Sequence, residues 1–134
     1  MARRTECYVD TSAFIAFLDR SDSYHPLFRK LFSKPPALIT SALVVAEGHG
    51  WFLRRYDSRR AVQFLAFLEV LPALIIVPFG AEQLLATVNI VKKFADQKLT
   101  LTDSHGLAIL RERRLATCWS TDRHLTVTGA ELVI

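Results

Sequence analysis

Five short apolar runs separated by helical segments constrain this fold more than any other feature of the sequence. The runs are Cys7 to Asp10, Ala37 to Thr40, Leu74 to Val77, Ala116 to Trp119 and Glu131 to Ile134. Each is too short for a helix and lacks the polar alternation of a half-exposed strand. Strands that are apolar on both faces must be covered on both faces. The segments between them read as helices. Ser12 reads as a cap for Ala13 to Leu18, and Tyr24 to Phe32 has helical spacing of Leu27, Phe28, Leu31 and Phe32. Ser41 caps a helix to about Tyr56, Ser58 one through Glu69, and Thr102 one through about Arg113, with a long helix over Ala81 to Asp96. Short buried strands alternating with helices imply an α/β fold, a three-layer α/β/α sandwich with a mostly parallel central sheet. The 134 residues fit one domain, 1–134, with a single core.

Composition narrows the class. The chain is 51% hydrophobic and 22% charged, ordinary values for a globular domain, with no repeat or low-complexity run. Met1 to Glu6 has no apolar core of a signal peptide behind it. Leu71 to Phe79 contains Pro72 and Pro78 and falls far short of the ~20 residues of a membrane helix. The expected location is the cytoplasm, without a membrane. Cys7 and Cys118 sit in apolar runs and read as buried, reduced thiols; neither has a second Cys or His at zinc-ligand spacing. The net charge of +4 permits a polyanionic partner without establishing one. Arg54, Arg55, Arg111 and Arg113 are candidates for a basic rim.

Sites in open parallel sheets form at the carboxyl ends of strands, near the point where strand order reverses. Asp10 ends the first strand, Asp103 opens a late helix, and Asp122 follows the fourth strand. Glu47 is the one acid in the apolar helical segment Ala42 to Glu47. A capping role, a helix-dipole role, a turn role or an exposed face would account for each of them singly. Together, converging carboxylates repel and raise one another's pKa unless a hard divalent cation resolves the repulsion. Such an ion on Asp10 and Asp103 activates water against a phosphodiester, with Glu47 and Asp122 positioning it or a second ion. Ser12 or Thr121 can hydrogen-bond the phosphate. The expected products are a 5′-phosphate and a 3′-hydroxyl.

Val9-Asp10-Thr11-Ser12-Ala13-Phe14-Ile15-Ala16, Glu47, Leu101-Thr102-Asp103 and Ser120-Thr121-Asp122 together resemble a PIN domain, and most of all the VapC-like toxin ribonucleases of toxin–antitoxin pairs. Asp22-Ser23-Tyr24-His25 is also similar to that group. The resemblance covers nearly the whole chain. It implies Mg²⁺- or Mn²⁺-dependent RNA cleavage, a homodimer and a cognate antitoxin, with the acids at Asp10, Glu47, Asp103 and Asp122; Asp96 reads as a surface residue. Ser104-His105 after the third acid departs from the usual pattern. Gly48 and Gly50 should weaken their helix by roughly 1 kcal/mol each. The alternatives are a non-catalytic PIN-like module that binds RNA or protein, and a PIN nuclease of RNA processing.

Other chemistries fit less well. Gly48-His49-Gly50 lacks the third glycine of a dinucleotide loop, with Leu53 in its place. A phospho-receiver would need a late lysine, and none follows Lys98. A haloacid-type phosphatase would have a second Asp where Ser12 stands, and no serine sits in a nucleophile elbow. His25, His49, His105 and His124 read as surface or structural, with a supporting role open to His105 and His124 through their neighbours Asp103 and Asp122.

Overall fold

A computed structural model describes residues 6–134. The reading of the N-terminal stretch as free of a signal peptide lies, Glu6 apart, outside them. The strands are β1 (Cys7–Val9), β2 (Leu38–Ser41), β3 (Ile75–Val77), β4 (Thr117–Trp119) and β5 (Glu131–Leu132). They form one sheet in the order β3-β2-β1-β4-β5, and every pairing is parallel. The order reverses at β1: β2 and β3 lie on one side of it and β4 on the other. Neighbouring carboxyl ends of β1 and β4 therefore flank the crevice where such sheets carry their sites.

The helices are α1 (Thr11–Leu18), α2 (His25–Ser33), α3 (Ala42–Arg55), α4 (Ser58–Val70), α5 (Ala81–Lys93) and α6 (Leu101–Glu112). A 3-10 turn at Ala95–Gln97 takes the end of the long helix expected through Asp96. Several caps shift from their expected places. Ser41 does cap α3, accepting from Leu43 N–H at 3.0 Å. Asp57, not Ser58, caps α4, and Thr100, not Thr102, caps α6. Ser12 lies inside α1, behind an Asp10 N-cap whose side chain makes no capping bond. No helix of the described residues is long and apolar enough to cross a membrane.

Alternation along β1 and β4 supplies both faces of the core. Tyr8 and its register partner Cys118 share one face, and Val9 and Trp119 the other. Trp119 meets the rings of Phe28 and Phe32, and Phe32 continues through Phe14 to Phe64 and Phe52. That cluster ties α1, α2, α3 and α4 to one side of the sheet, while Tyr8 packs against Gly106 of α6 on the other. Cys7 and Cys118 are buried on adjacent strands, as expected, and no disulfide joins them. The Asp22–His25 segment is structural: Asp22 accepts from Tyr24 N–H at 2.8 Å, and His25 Nδ1 lies 2.9 Å from the Ala16 carbonyl.

Gly48 and Gly50 separate once packing is considered. A Cβ on Gly48 would lie 2.6 Å from the Phe64 ring, which is fully buried between Phe14 and Phe52. Gly48 is what lets α3 and α4 approach there. A Cβ on Gly50 would meet only the far end of the Arg54 side chain, at 2.9 Å, which can swing away. Gly50→Ala should therefore raise stability by about 1 kcal/mol, the ordinary helix gain. Gly48→Ala should lower it by about 1–3 kcal/mol through overpacking. Paired urea melts check the opposite signs; a gain from both would show that Phe64 is free to move.

Candidate metal centre

Asp10 is the most constrained acid. It follows β1, is 4% exposed, and its N–H donates to the Trp119 carbonyl at 3.0 Å. Its Oδ2 accepts from Ser120 Oγ at 3.0 Å and from Ser12 Oγ at 3.2 Å. Each of these hydroxyls in turn accepts a backbone amide. Thr121 N–H donates to Ser12 Oγ at 3.0 Å, and Asp122 N–H to Ser120 Oγ at 2.8 Å. The Asp10 carboxylate thus holds the turn after β4 in place through two serines. Ser12 is a positioning group here rather than a cap. Ser120, fully buried, was not among the residues expected from sequence, although it stands in the motif Ser120-Thr121-Asp122.

Burial pushes the Asp10 carboxyl up to about 6. Hydrogen bonds from Ser120 and the Thr11 amide oppose this, while the charges of Asp103 and Glu47 push it further in the same direction. The charges of those two acids therefore reach Asp10. Glu47 reaches the site from the middle of α3 and is exposed to solvent, not buried in the apolar segment around it. Asp103 comes from the first turn of α6. Its Oδ2 accepts from Thr100 N–H at 3.1 Å while its own N–H donates to Thr100 Oγ1 at 3.0 Å, a reciprocal capping box. Asp122 caps the 3-10 turn Arg123–Thr126, accepting from His124 N–H at 2.9 Å. The capping and turn roles are thus real for both residues, and each uses one carboxylate oxygen.

Among the described residues, one group of three metal-type ligand atoms lies within 4.8 Å of one another: Asp103, Asp122 and His124. Asp10 and Glu47 stand outside that tightest group while sharing its electrostatic surroundings. The hydroxyls of Tyr8 and Thr11 are buried with no hydrogen-bond partner among the described residues. The Tyr8 phenol is held un-ionised by burial first and then by the charges of Asp10, Cys118, Asp103 and Glu47. Two carboxylates and an imidazole in one compact group, with the buried Asp10 feeling the charge of Asp103, fit a hydrated divalent cation. His105 serves the frame instead. It is buried, its Nδ1 lies 2.6 Å from Ser41 Oγ, and it meets the Phe79 ring edge-on. Asp96 is an exposed surface residue.

The expected basic rim is not at this edge. α3 and α6 begin beside the carboxyl ends of the strands and run away from them. Arg54 and Arg111 lie seven and eight residues beyond Glu47 and Asp103, roughly 10–12 Å along the axes. Arg111 lines a separate cavity with Leu115 and Gly129, residues that precede β4 and β5 at the opposite edge. The clustering of arginines in sequence marks helix carboxyl ends, where they complement the dipole.

The Asp10 shift fixes a pH dependence for the metal-free protein. A carboxyl raised from 3.8 to about 6 in the folded state binds protons more tightly folded than unfolded. Its stabilising contribution is whole below about pH 4 and is lost as pH rises through about 6, a loss of about 3 kcal/mol at 1.36 kcal/mol per pKa unit. Asp10→Asn keeps an acceptor for Ser12 and Ser120 and removes the charge. In a chelating buffer it should match the parent near pH 4 and exceed it by up to about 3 kcal/mol at pH 7. Denaturant melts at the two pH values check this, and an equal difference at both would show that Asp10 is not the buried charge it appears in the geometry.

The profile of the PIN domain family matches residues 7–130. Among curated proteins no sequence matches the chain. Solved structures do. The crystal structure of Mycobacterium tuberculosis VapC20, a sarcin–ricin-loop-cleaving toxin, superposes with a TM-score of 0.84 at 21% identity, covering 93% of this chain and 96% of that one. A toxin–antitoxin complex from Klebsiella pneumoniae matches at a TM-score of 0.63 and 17% identity, with 96% of each chain covered. VapBC2 from Rickettsia felis, bound to a DNA fragment from its promoter, gives 0.63 and 16% identity over 96% of this chain and 97% of that one. With all-parallel topology, acids gathered at the sheet's switch point and a profile match over nearly its whole length, the chain belongs to the PIN domain family.

Proposed function

We propose that this PIN domain is a metal-dependent endoribonuclease acting as the toxin of a toxin–antitoxin pair. The observation that supports the reading is the compact group of Asp103, Asp122 and His124 beside a buried Asp10 that feels the charges of Asp103 and Glu47. Asp10, Glu47, Asp103 and Asp122 would hold Mg²⁺ or Mn²⁺. When bound, such an ion polarises a phosphodiester oxygen and supplies hydroxide from a coordinated water. The chain's own groups do the rest. Ser120 and Ser12 keep Asp10 aimed and fix the turn that carries Asp122. Thr121, between Ser120 and Asp122, would offer its hydroxyl to a phosphate oxygen.

The partners follow from the same family. RNA is the substrate favoured by the likeness to a toxin that cleaves the sarcin–ricin loop, and an antitoxin by the likeness to toxin–antitoxin complexes. Ile75 and Ile76 on the edge strand β3, with Val70, Leu84 and Leu85 close by in sequence, are exposed apolar residues. They supply the kind of surface that a second copy of the chain or an antitoxin covers. The cytoplasm is the matching location.

The purified protein should cut mixed RNA with Mg²⁺ or Mn²⁺, stop on chelation, and leave 5′-phosphate and 3′-hydroxyl ends. Asp10→Asn and Asp103→Asn should each lower cleavage by at least about 100-fold. Mg²⁺ at about 100 times its Kd should add about 2.7 kcal/mol of stability to the parent and little to either variant. Cleavage that survives both substitutions would end the nuclease reading.

A further inference from the structure

We propose that His124 is a metal ligand of this centre, so that the site takes a divalent first-row transition ion in preference to Mg²⁺. The inference deepens the nuclease reading by naming the donor set and the class of ion, and it rests on that reading for the identity of the site. Its geometric basis is the one compact group of ligand atoms among the described residues: Asp103 from α6, with Asp122 and His124 from the turn after β4, all within 4.8 Å of one another.

His124 Nδ1 lies 3.1 Å from Asp122 Oδ1. Two donors at about 2.1 Å from one ion, placed at right angles, are about 3.0 Å apart. A local turn explains part of this contact, because Asp122 also accepts the His124 amide. It does not explain the third member. Asp103 belongs to another element, nineteen positions earlier in the chain, yet its carboxylate comes within reach of the same imidazole. That meeting is produced by the tertiary fold. It is set by the Ser120 bond to the Asp122 amide on one side and the Thr100 capping box on the other.

The imidazole is 45% exposed and the Asp122 side chain 34%, so a hydrated ion can enter from solvent. Asp10 is buried, whereas Glu47 is exposed to solvent on α3. Each of the three ligands has its backbone or a second atom tied down, so little ordering is left to the ion. An all-oxygen set suits Mg²⁺, whereas adding an imidazole nitrogen favours ions that accept nitrogen and disfavours Mg²⁺. The Asp103 and Asp122 carboxylates compensate the charge of the ion, and His124 supplies the discrimination.

Mn²⁺ is the probe, because it binds oxygen and nitrogen and reports its ligands by pulsed electron paramagnetic resonance. The full chain and His124→Gln are titrated with MnCl₂ and MgCl₂ by calorimetry, without RNA. The parent should bind Mn²⁺ more tightly than Mg²⁺ and show ¹⁴N coupling to bound Mn²⁺. His124→Gln should lose the coupling and weaken Mn²⁺ by at least about 10-fold while leaving Mg²⁺ within about twofold. Absence of ¹⁴N coupling in the parent overturns the proposal, whatever the variant does. So does an equal loss for both ions, which would mean that His124 only orients Asp122. Both readouts are independent of cleavage. A chain that binds Mn²⁺ through His124 and cuts no RNA would keep this inference and remove the nuclease reading. A chain that cuts RNA without nitrogen coupling would do the reverse.

Discussion

A carboxylate withdrawn from water at the end of a central strand sets the terms for everything around it. Asp10 follows β1 with almost no exposed surface, and an unpaired buried charge of that kind is expensive. The fold answers with two serine hydroxyls on one oxygen. Those hydroxyls must also accept, and the amides of Thr121 and Asp122 satisfy them. Solvating Asp10 and placing Asp122 are therefore one hydrogen-bonded unit. Removing either serine would leave a buried acceptor and a loose turn together.

Getting a third element to that unit requires close packing. Tyr8 fills the space beneath α6 because Gly106 has no side chain: a Cβ there would lie 2.8 Å from the phenol oxygen. α6 can then bring Asp103 up to the turn that carries Asp122 and His124. On the other face Gly48 gives up its side chain to the Phe64 ring, so α3, which carries Glu47, settles against α4. Two glycines at helix contacts thus act at a distance on the acids. Sequence shows them only as poor helix formers; packing shows why their cost is accepted. In the proposed nuclease a divalent ion would relieve the electrostatic repulsion among these acids.

The architecture was legible because its signal is local. Buried strands read as short apolar runs, and all five runs form strands within a residue or two of their expected places, although edge strand β3 leaves Ile75 and Ile76 exposed instead of covered on both faces. The acids stood out in the sequence because parallel sheets carry chemistry at strand ends: Asp10 directly follows β1, and Asp122 lies three residues beyond β4. Cap positions were not legible to the residue. Thr100 and Thr102 offer the same hydroxyl, and only the reciprocal bond with Asp103 selects Thr100. Ser120 was read only as a member of the Ser120-Thr121-Asp122 motif, since nothing in its neighbourhood says that its hydroxyl turns toward a residue 110 positions away. His124 stood out only as a neighbour of Asp122; its approach to Asp103 is a tertiary fact. The arginines misled because clustering in sequence carries no information about which end of a helix faces the site. Glu47 was read as a charge among apolar residues, but the helix turns it to solvent.

The account's central claim is that Asp10 carries an unrelieved buried charge until a cation arrives. The direct measurement is the ¹³C carboxyl titration of Asp10 by NMR, in chelator and again in saturating Mg²⁺ or Mn²⁺'s diamagnetic stand-in Zn²⁺. The account predicts a midpoint of about 6 without metal and a midpoint at or below the ordinary 3.8 with it. A midpoint that stays where it was on adding either ion would contradict the claim that these carboxylates form a metal centre.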